Sequence, residues 1–366
     1  MIPVNELVRG FRLYQKEYED KALEVLRSGW YVLGKEVSSF EEEFATALGK
    51  GCSCAGVDNG LDAITLGLEA AGIKEGDEVI VQANGYIATM LGIMQCGAVP
   101  VFVEPDEYYQ LDADRIEDAI TPATKAVLVT HLYGQATRMD AVTAICKKHD
   151  LALFEDCAQS HFAPYKGVNT GLFGKASFFS FYPTKNLGAF GDGGAVVSTD
   201  PAIIEKVKVL RNYGSDRRYH NIEIAGNMRL DEIQAGLLRV RLSHMDELLA
   251  NRRHIASRYL SEIKNPKITL PLIADGCDHT WYQFIVRADD QSAFMSFLKS
   301  EGVATDISWQ VPPYLQPCMK EKFGYKSGDF PVTEELCAHI VTLPMMEFME
   351  EDEITKVIDA VNRYKS

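Results

Sequence analysis

Between residues 58 and 154 the chain alternates, with little interruption, between short apolar runs of strand character and longer stretches of helical period. Asn59-Gly60-Leu61-Asp62 opens a helix reaching residue 71; 78–83 reads as a strand, 86–96 as a helix and 99–103 as a strand. The pattern continues with a helix at 111–120, a strand at 126–131, a helix at 139–149 and a strand at 151–154. Strands joined through helices return in the same direction. The alternation therefore predicts an α/β fold whose parallel or mostly parallel sheet has helices on both faces. Strands at 176–181 and 194–198 extend it, and an upstream helix at 35–48 carries Phe40, Phe44 and Leu48 at i, i+4 and i+8.

A chain of 366 residues can hold one large domain and a smaller one. Residues 231–262 read as one long helical region, with Ile233, Leu237, Val240, Leu248 and Ile255 on its apolar face. Lys264-Asn265-Pro266 looks like a linker. Beyond it lies a shorter α/β unit with a strand at 282–286 and helices at 292–300 and 353–364. The expected division is 1–262 and 263–366. A net charge of −15 argues against general nucleic-acid or anionic-membrane binding, while leaving room for a local anion site built from backbone amides. There is no basic-then-apolar leader and no apolar run of ~18 residues, so a cytoplasmic protein is expected. The eight cysteines are scattered, and Cys52-x-Cys54 lacks a second ligand pair at zinc spacing; reduced thiols and no metal are expected.

The chemistry concentrates in residues 178–194, FFSFYPTKNLGAFGDGG. Lys185 follows an apolar, aromatic strand, where a desolvated ammonium is costly unless paired or neutralised. A lysine with a lowered pKa is a nucleophile toward carbonyls. Upstream, Asp156 emerges at the end of another apolar strand. A strand-end acid and a lysine on the next strand-loop suit pyridoxal phosphate (PLP), the acid facing the pyridine nitrogen and the lysine the aldehyde carbon. Gly60 and Leu61 sit where a helix start can take a phosphate; a plain N-cap turn is the alternative. Ser180 can reach the same phosphate or be a buried serine bonded to backbone. Asp156 can equally cap a turn. Gln159 can bond the ring's phenolic oxygen, and Tyr86 can stack on the ring or belong to the core. His161 reads as structural. Lys206, Lys208, Arg211, Arg217 and Arg218 read as a solvated face, with a substrate diphosphate as the other option.

Three runs in order, EDCAQSH, SFYPTKNLGAFGDGGAVV and GNMRLDEIQAGLLRVRL, closely resemble the DegT/DnrJ/EryC1/StrS family of nucleotide-sugar aminotransferases. The likeness extends from SGWYVLGKEVSSFEEEFA to Thr342-Leu343-Pro344, nearly the whole chain. It implies an aspartate-aminotransferase-like fold (fold type I) and a homodimer with shared active sites. It also implies that Lys185 bonds the cofactor aldehyde, Asp156 holds the pyridine nitrogen and Gln159 the phenolic oxygen. By the same resemblance Gly60, Leu61 and Ser180 bind the phosphate, Tyr86 stacks on the ring, and Asn227 reaches the partner subunit's phosphate. Trp30, Tyr31 and Tyr182 become sugar or nucleotide contacts. NGLDA and KNLGAFGDGG look like the subgroup that aminates C3 of a dTDP-3-keto-6-deoxyhexose, with L-glutamate as donor. The alternatives are a C4 aminotransferase, another nucleotide carrier, or a PLP-binding sensor. The dehydrating branch carries histidine where this chain has Lys185. Two departures concern the sugar side: Ser308-Trp309 replaces the usual His-Tyr pair, and Gly85 stands where threonine is common.

Overall fold

The strand segments are nearly continuous apolar runs because both faces of the sheet they build are covered. Glu78–Gln82, Val99–Val103, Thr124–Thr130, Ala152–Asp156 and Ala176–Ser180 lie parallel to one another. They belong to a seven-stranded sheet in the computed structural model, which describes residues 1–365. Across the sheet the order is 53–57, 194–198, 176–180, 152–156, 124–130, 78–82 and 99–103. Only Gly194–Ser198 runs against its neighbours, so the sheet is mixed and mostly parallel, as the alternation predicts.

Successive side chains feed opposite cores, as the period of two requires. On one face Leu128, Phe154 and Phe178 pack with helices Gly60–Ala70, Ile87–Gln95 and Pro201–Leu210. On the other, Phe179 and Val197 meet helices Lys35–Leu48 and Glu232–Ser243, while Val127 and Leu153 meet Met139–Lys148. Helix Lys35–Leu48 is held by fully buried Phe40, Phe44 and Leu48, each contributing about 1.5–3 kcal/mol. A smaller antiparallel sheet joins Ile268–Thr269, Phe284–Ala288 and Ile340–Leu343. With helices Gln291–Ser300 and Glu351–Arg363 it forms a separate core, which also takes in Ile2 and the far end of helix Met245–Glu262.

Several segments depart from the sequence reading. The helix expected at 111–120 is two single 3₁₀ turns, Ala113–Arg115 and Glu117–Ala119. Asp112 accepts from the Asp114 amide at 3.1 Å and starts a tight turn, and Thr121-Pro122 stops continuation. The region 231–262 breaks at His244, whose ring stacks on Tyr14 with centroids 3.8 Å apart. The strand placed at 282–286 is Phe284–Ala288, because Tyr282 turns toward the cavity described below. Helices Leu7–Leu13, Gln15–Ser28 and Pro201–Leu210 were not anticipated. Among the described residues no helix is long and apolar enough to cross a membrane.

Candidate active site

The parallel strands end at one edge of the sheet, where open α/β sheets place their ligands. Thr130 and Asp156 are the last residues of paired strands, in register with each other. Ser180 ends the next strand and pairs with Gly194, which opens the reversed one. A cavity of about 440 Å³ lies there, and Gly60, Leu61, Tyr86, Asp156, Gln159, Ser180, Tyr182, Lys185 and Trp309 all line it.

Lys185 is presented by a tight loop. Its amide donates to the Tyr182 carbonyl at 2.8 Å, and the Ala189 amide returns to the Phe181 carbonyl at 2.7 Å. A Cβ on Gly188 would stand 2.4 Å from the Pro183 carbonyl, so the loop can close only over glycine. Next door, the Asn186 amide nitrogen donates to the Thr280 carbonyl at 3.1 Å, and the Asn186 carbonyl accepts from Arg241 at 3.0 Å. The lysine Nζ stands 4.3 Å from the centroid of the Tyr282 ring, a cation–π contact. Burial pushes the Tyr282 hydroxyl up, but the Lys185 charge and bonds from Thr184 and Lys185 outweigh it and hold the phenol below its ordinary value.

Asp156 is buried and oriented. Its Oδ2 accepts from the Thr89 hydroxyl at 2.7 Å and its Oδ1 from the Ala158 amide at 3.1 Å. Gln159 is fixed in one sense only: its Oε1 accepts from the Tyr133 amide at 2.8 Å. The donor end of that amide is therefore the end left for the cavity. At the helix start, Asn59 accepts from the Asp62 amide at 2.8 Å, and the Ala63 amide bonds the Asn59 carbonyl at 3.1 Å. That leaves the amides of Gly60 and Leu61 able to take an anion at the helix start. A Cβ on Gly60 would lie 2.7 Å from the Ser180 Cβ, so glycine keeps this cradle open. Anion cradle, acid, amide donor, exposed Tyr86 ring and lysine thus share one cavity, and they fit the phosphate, pyridine nitrogen, phenolic oxygen, ring face and aldehyde of PLP.

The remaining expected contacts lie elsewhere. The Ser308 side chain turns away and bonds Gln283 at 2.9 Å and Thr342 at 3.3 Å; only its neighbour Trp309 faces the cavity. Trp30 and Tyr31 are exposed outside this cavity, and Asn227 bridges Asn212 on another loop. Thr89, Thr130, Thr184, Asp192 and Tyr282 line the cavity without having been singled out in the sequence. Asp192 alone had a visible signal, its place in the GDGG run.

Two buried groups nearby are structural. Glu155 accepts from the amides of Gly171, Phe173 and Gly174 at 2.7–2.8 Å and meets His131 Nε2 at 3.0 Å. The other His131 nitrogen accepts from the Thr137 amide at 3.0 Å, so both ring nitrogens are used and the Glu155–His131–Cys157 cluster has no free imidazole for a metal. His161 is fully buried against Phe179 and Phe181, and burial, aided by the Lys185 charge, pushes its imidazole down to about 3. It is neutral at physiological pH. A larger cavity of about 840 Å³ lies at Asp106, Asp112, Asp114, Asp140 and Asp275, and its acids make it unsuited to a phosphate.

The DegT/DnrJ/EryC1/StrS aminotransferase family matches residues 13–362. A protein of Aneurinibacillus thermoaerophilus, named dTDP-3-amino-3,6-dideoxy-alpha-D-galactopyranose transaminase, is 46% identical over 365 residues, covering 100% of this chain and 99% of its own. The dTDP-3-amino-3,4,6-trideoxy-alpha-D-glucose transaminase of Streptomyces venezuelae is 40% identical, covering 99% and 96%. The solved structure of S. venezuelae DesV in complex with a ketimine intermediate superposes with a TM-score of 0.96 at 40% identity, covering 99% of this chain and 97% of that one. The mixed, mostly parallel sheet is thus that of the PLP aminotransferases. The chain belongs to the DegT/DnrJ/EryC1/StrS aminotransferase family.

Proposed function

We propose that this sugar aminotransferase transfers the amino group of L-glutamate to the C3 keto group of a dTDP-3-keto-6-deoxyhexose, in two half-reactions of ping-pong type, for amino-sugar biosynthesis. One observation carries the reading: Lys185, Asp156 and the anion-binding turn at Gly60 and Leu61 open into a single cavity. The cofactor is PLP, which when bound supplies the electron sink for α-proton removal. Lys185 would hold the aldehyde carbon, and its amine would carry the proton taken from the amino acid's α-carbon. Asp156, oriented by Thr89, keeps the pyridine nitrogen protonated. Gln159 donates to the phenolic oxygen, Tyr86 covers the ring, and Gly60, Leu61 and Ser180 hold the phosphate. Tyr182 and Trp309 border the sugar.

The C3 assignment rests on the NGLDA and KNLGAFGDGG runs and on two dTDP-3-amino-sugar transaminases among the relatives. A homodimer accounts for Trp30, Tyr31 and Asn227: each lies outside its own chain's cavity, where a second subunit would receive it. The replaced pair Ser308-Trp309 is the feature that favours the second reading, amination at C4 or a different carrier.

The test is the visible spectrum of the PLP-loaded protein before and after L-glutamate. Bleaching of the yellow form is expected, with colour restored by a C3-keto and not a C4-keto nucleotide sugar. Lys185→Ala should fold and lose turnover entirely. Retained turnover in that variant, or colour restored only by the C4-keto sugar, would overturn the corresponding part of the reading.

A further inference from the structure

The turn between strand Thr124–Thr130 and helix Met139–Lys148 contains a residue whose backbone and side chain serve different walls of the cavity. Tyr133 is buried and left-handed, at φ 62° and ψ 2°, a conformation that strains an L-residue and persists only where its surroundings demand it. Its amide donates to Gln159 Oε1 at 2.8 Å, the bond that aims the Gln159 donor end at the cofactor. Its hydroxyl donates to the Ser308 carbonyl at 3.0 Å, one residue before Trp309. Its carbonyl accepts from the Gln283 amide at 3.3 Å, beside Tyr282.

Trp309 is secured from a second side. Its indole N–H donates to the Asn84 carbonyl at 2.9 Å, and Asn84 in turn donates to the Tyr109 carbonyl at 2.9 Å. The Tyr109 ring meets Tyr133 edge-on, with centroids 5.6 Å apart. Trp309 then lies against Tyr86, centroids 4.8 Å apart, at the mouth of the cavity. Neither wall is covalently close to the other, and this one turn touches both.

We propose that Tyr133 is a positioning residue with two separable bonds: its hydroxyl sets the Trp309 wall for the keto-sugar, and its amide sets Gln159 for the cofactor. The proposal rests on the aminotransferase reading above. It explains how a segment carrying Ser308-Trp309 can still form a defined sugar wall: the Ser308 carbonyl, which any residue supplies, is the anchor.

Tyr133→Phe removes the hydroxyl and leaves the amide. Expected are unchanged PLP affinity, unchanged absorption spectrum and an unchanged glutamate half-reaction. The KM for the keto-sugar should rise about three- to tenfold, the loss of one buried neutral hydrogen bond. Combined with Trp309→Phe, which removes the indole bond to Asn84, the two losses should be non-additive. A sugar KM within twofold of wild type, or equal slowing of both half-reactions, overturns the proposal. Should Tyr133→Phe not fold, Trp309→Phe alone must raise the sugar KM at least threefold, and failure to do so overturns it equally. A wild-type protein that glutamate does not bleach removes the aminotransferase reading and the proposal with it. A wild type that glutamate bleaches, with a keto-sugar KM that its Tyr133→Phe variant matches within twofold, removes the proposal alone.

Discussion

Replacing Gly60 with alanine separates a phosphate cradle from an ordinary helix start. The new Cβ would stand 2.7 Å from the Ser180 Cβ and 3.2 Å from its Cα, whereas apolar carbons rest at about 3.5–4 Å. Something must move by nearly 1 Å, and neither atom is the free end of a flexible side chain. The helix start must back away from Ser180, which splits the Gly60 and Leu61 amides from the hydroxyl that shares their anion. Overpacking of this kind costs about 1–3 kcal/mol. Felt at the bound phosphate, that corresponds to roughly a five- to 150-fold weaker PLP affinity. A plain N-cap turn would suffer the same clash, but the loss would fall only on the stability of the cofactor-free chain and would cost no ligand. The assay is titration of the cofactor-free variant with PLP by absorbance, beside its chemical denaturation without cofactor. A PLP affinity within twofold of wild type would refute the cradle.

Two further predictions concern stability. Burial pushes both His161 and His279 down to about 3, so the unfolded chain binds more protons than the folded one between pH ~6.5 and 3, and stability falls as pH drops through that window. Asp58, pushed up to about 7 by burial and by Asp62, and Asp106, pushed up to about 6 by burial, work in the opposite direction and offset much of the loss. His161→Phe should remove about 1 kcal/mol of the histidine-linked loss between pH ~6.5 and ~5.5 in denaturant melts; a pH profile parallel to wild type over that interval would contradict it. Glu347 accepts from Arg241 and, at 3.3 Å, from Arg252; both arginines are buried and the Glu347 side chain is only 10% exposed. Glu347→Leu leaves two guanidiniums uncompensated and should destabilise by about 3–5 kcal/mol in urea unfolding, where a change under 1 kcal/mol would count against the pair.

The sequence disclosed what depends on neighbours along the chain. Strands covered on both faces are apolar runs whatever packs on them, so the parallel sheet was legible. Asp156 and Lys185 announced themselves as polar residues directly after such runs. The residues that reach the cavity through folding alone carried no such mark. Tyr282 and Trp309 arrive from segments about a hundred residues downstream, and Thr89 looks like any threonine in an apolar helix until Asp156 is placed 2.7 Å away. Local pattern also misled at 111–120, where Leu111, Ala113 and Ile116 are buried from consecutive tight turns and not from one helical face. The break at His244 was invisible because the apolar period continues through it, and the ring that stacks on His244 there belongs to Tyr14, at the junction of the first two helices.

The reversed strand has a consequence for how such chains can vary. Gly194 begins it, and a Cβ there would stand 2.3 Å from the Asn59 carbonyl, while Gly60 abuts Ser180 from the other side. The helix start is therefore clamped between two segments that lie far from it in sequence. Substitutions at 60, 180 and 194 are not independent events: a side chain gained at any one must be matched by a retreat at another. Recombination between relatives with a crossover between residues 70 and 170 would inherit the two halves of this clamp from different parents. Such chimeras should fail at cofactor retention before they fail at folding.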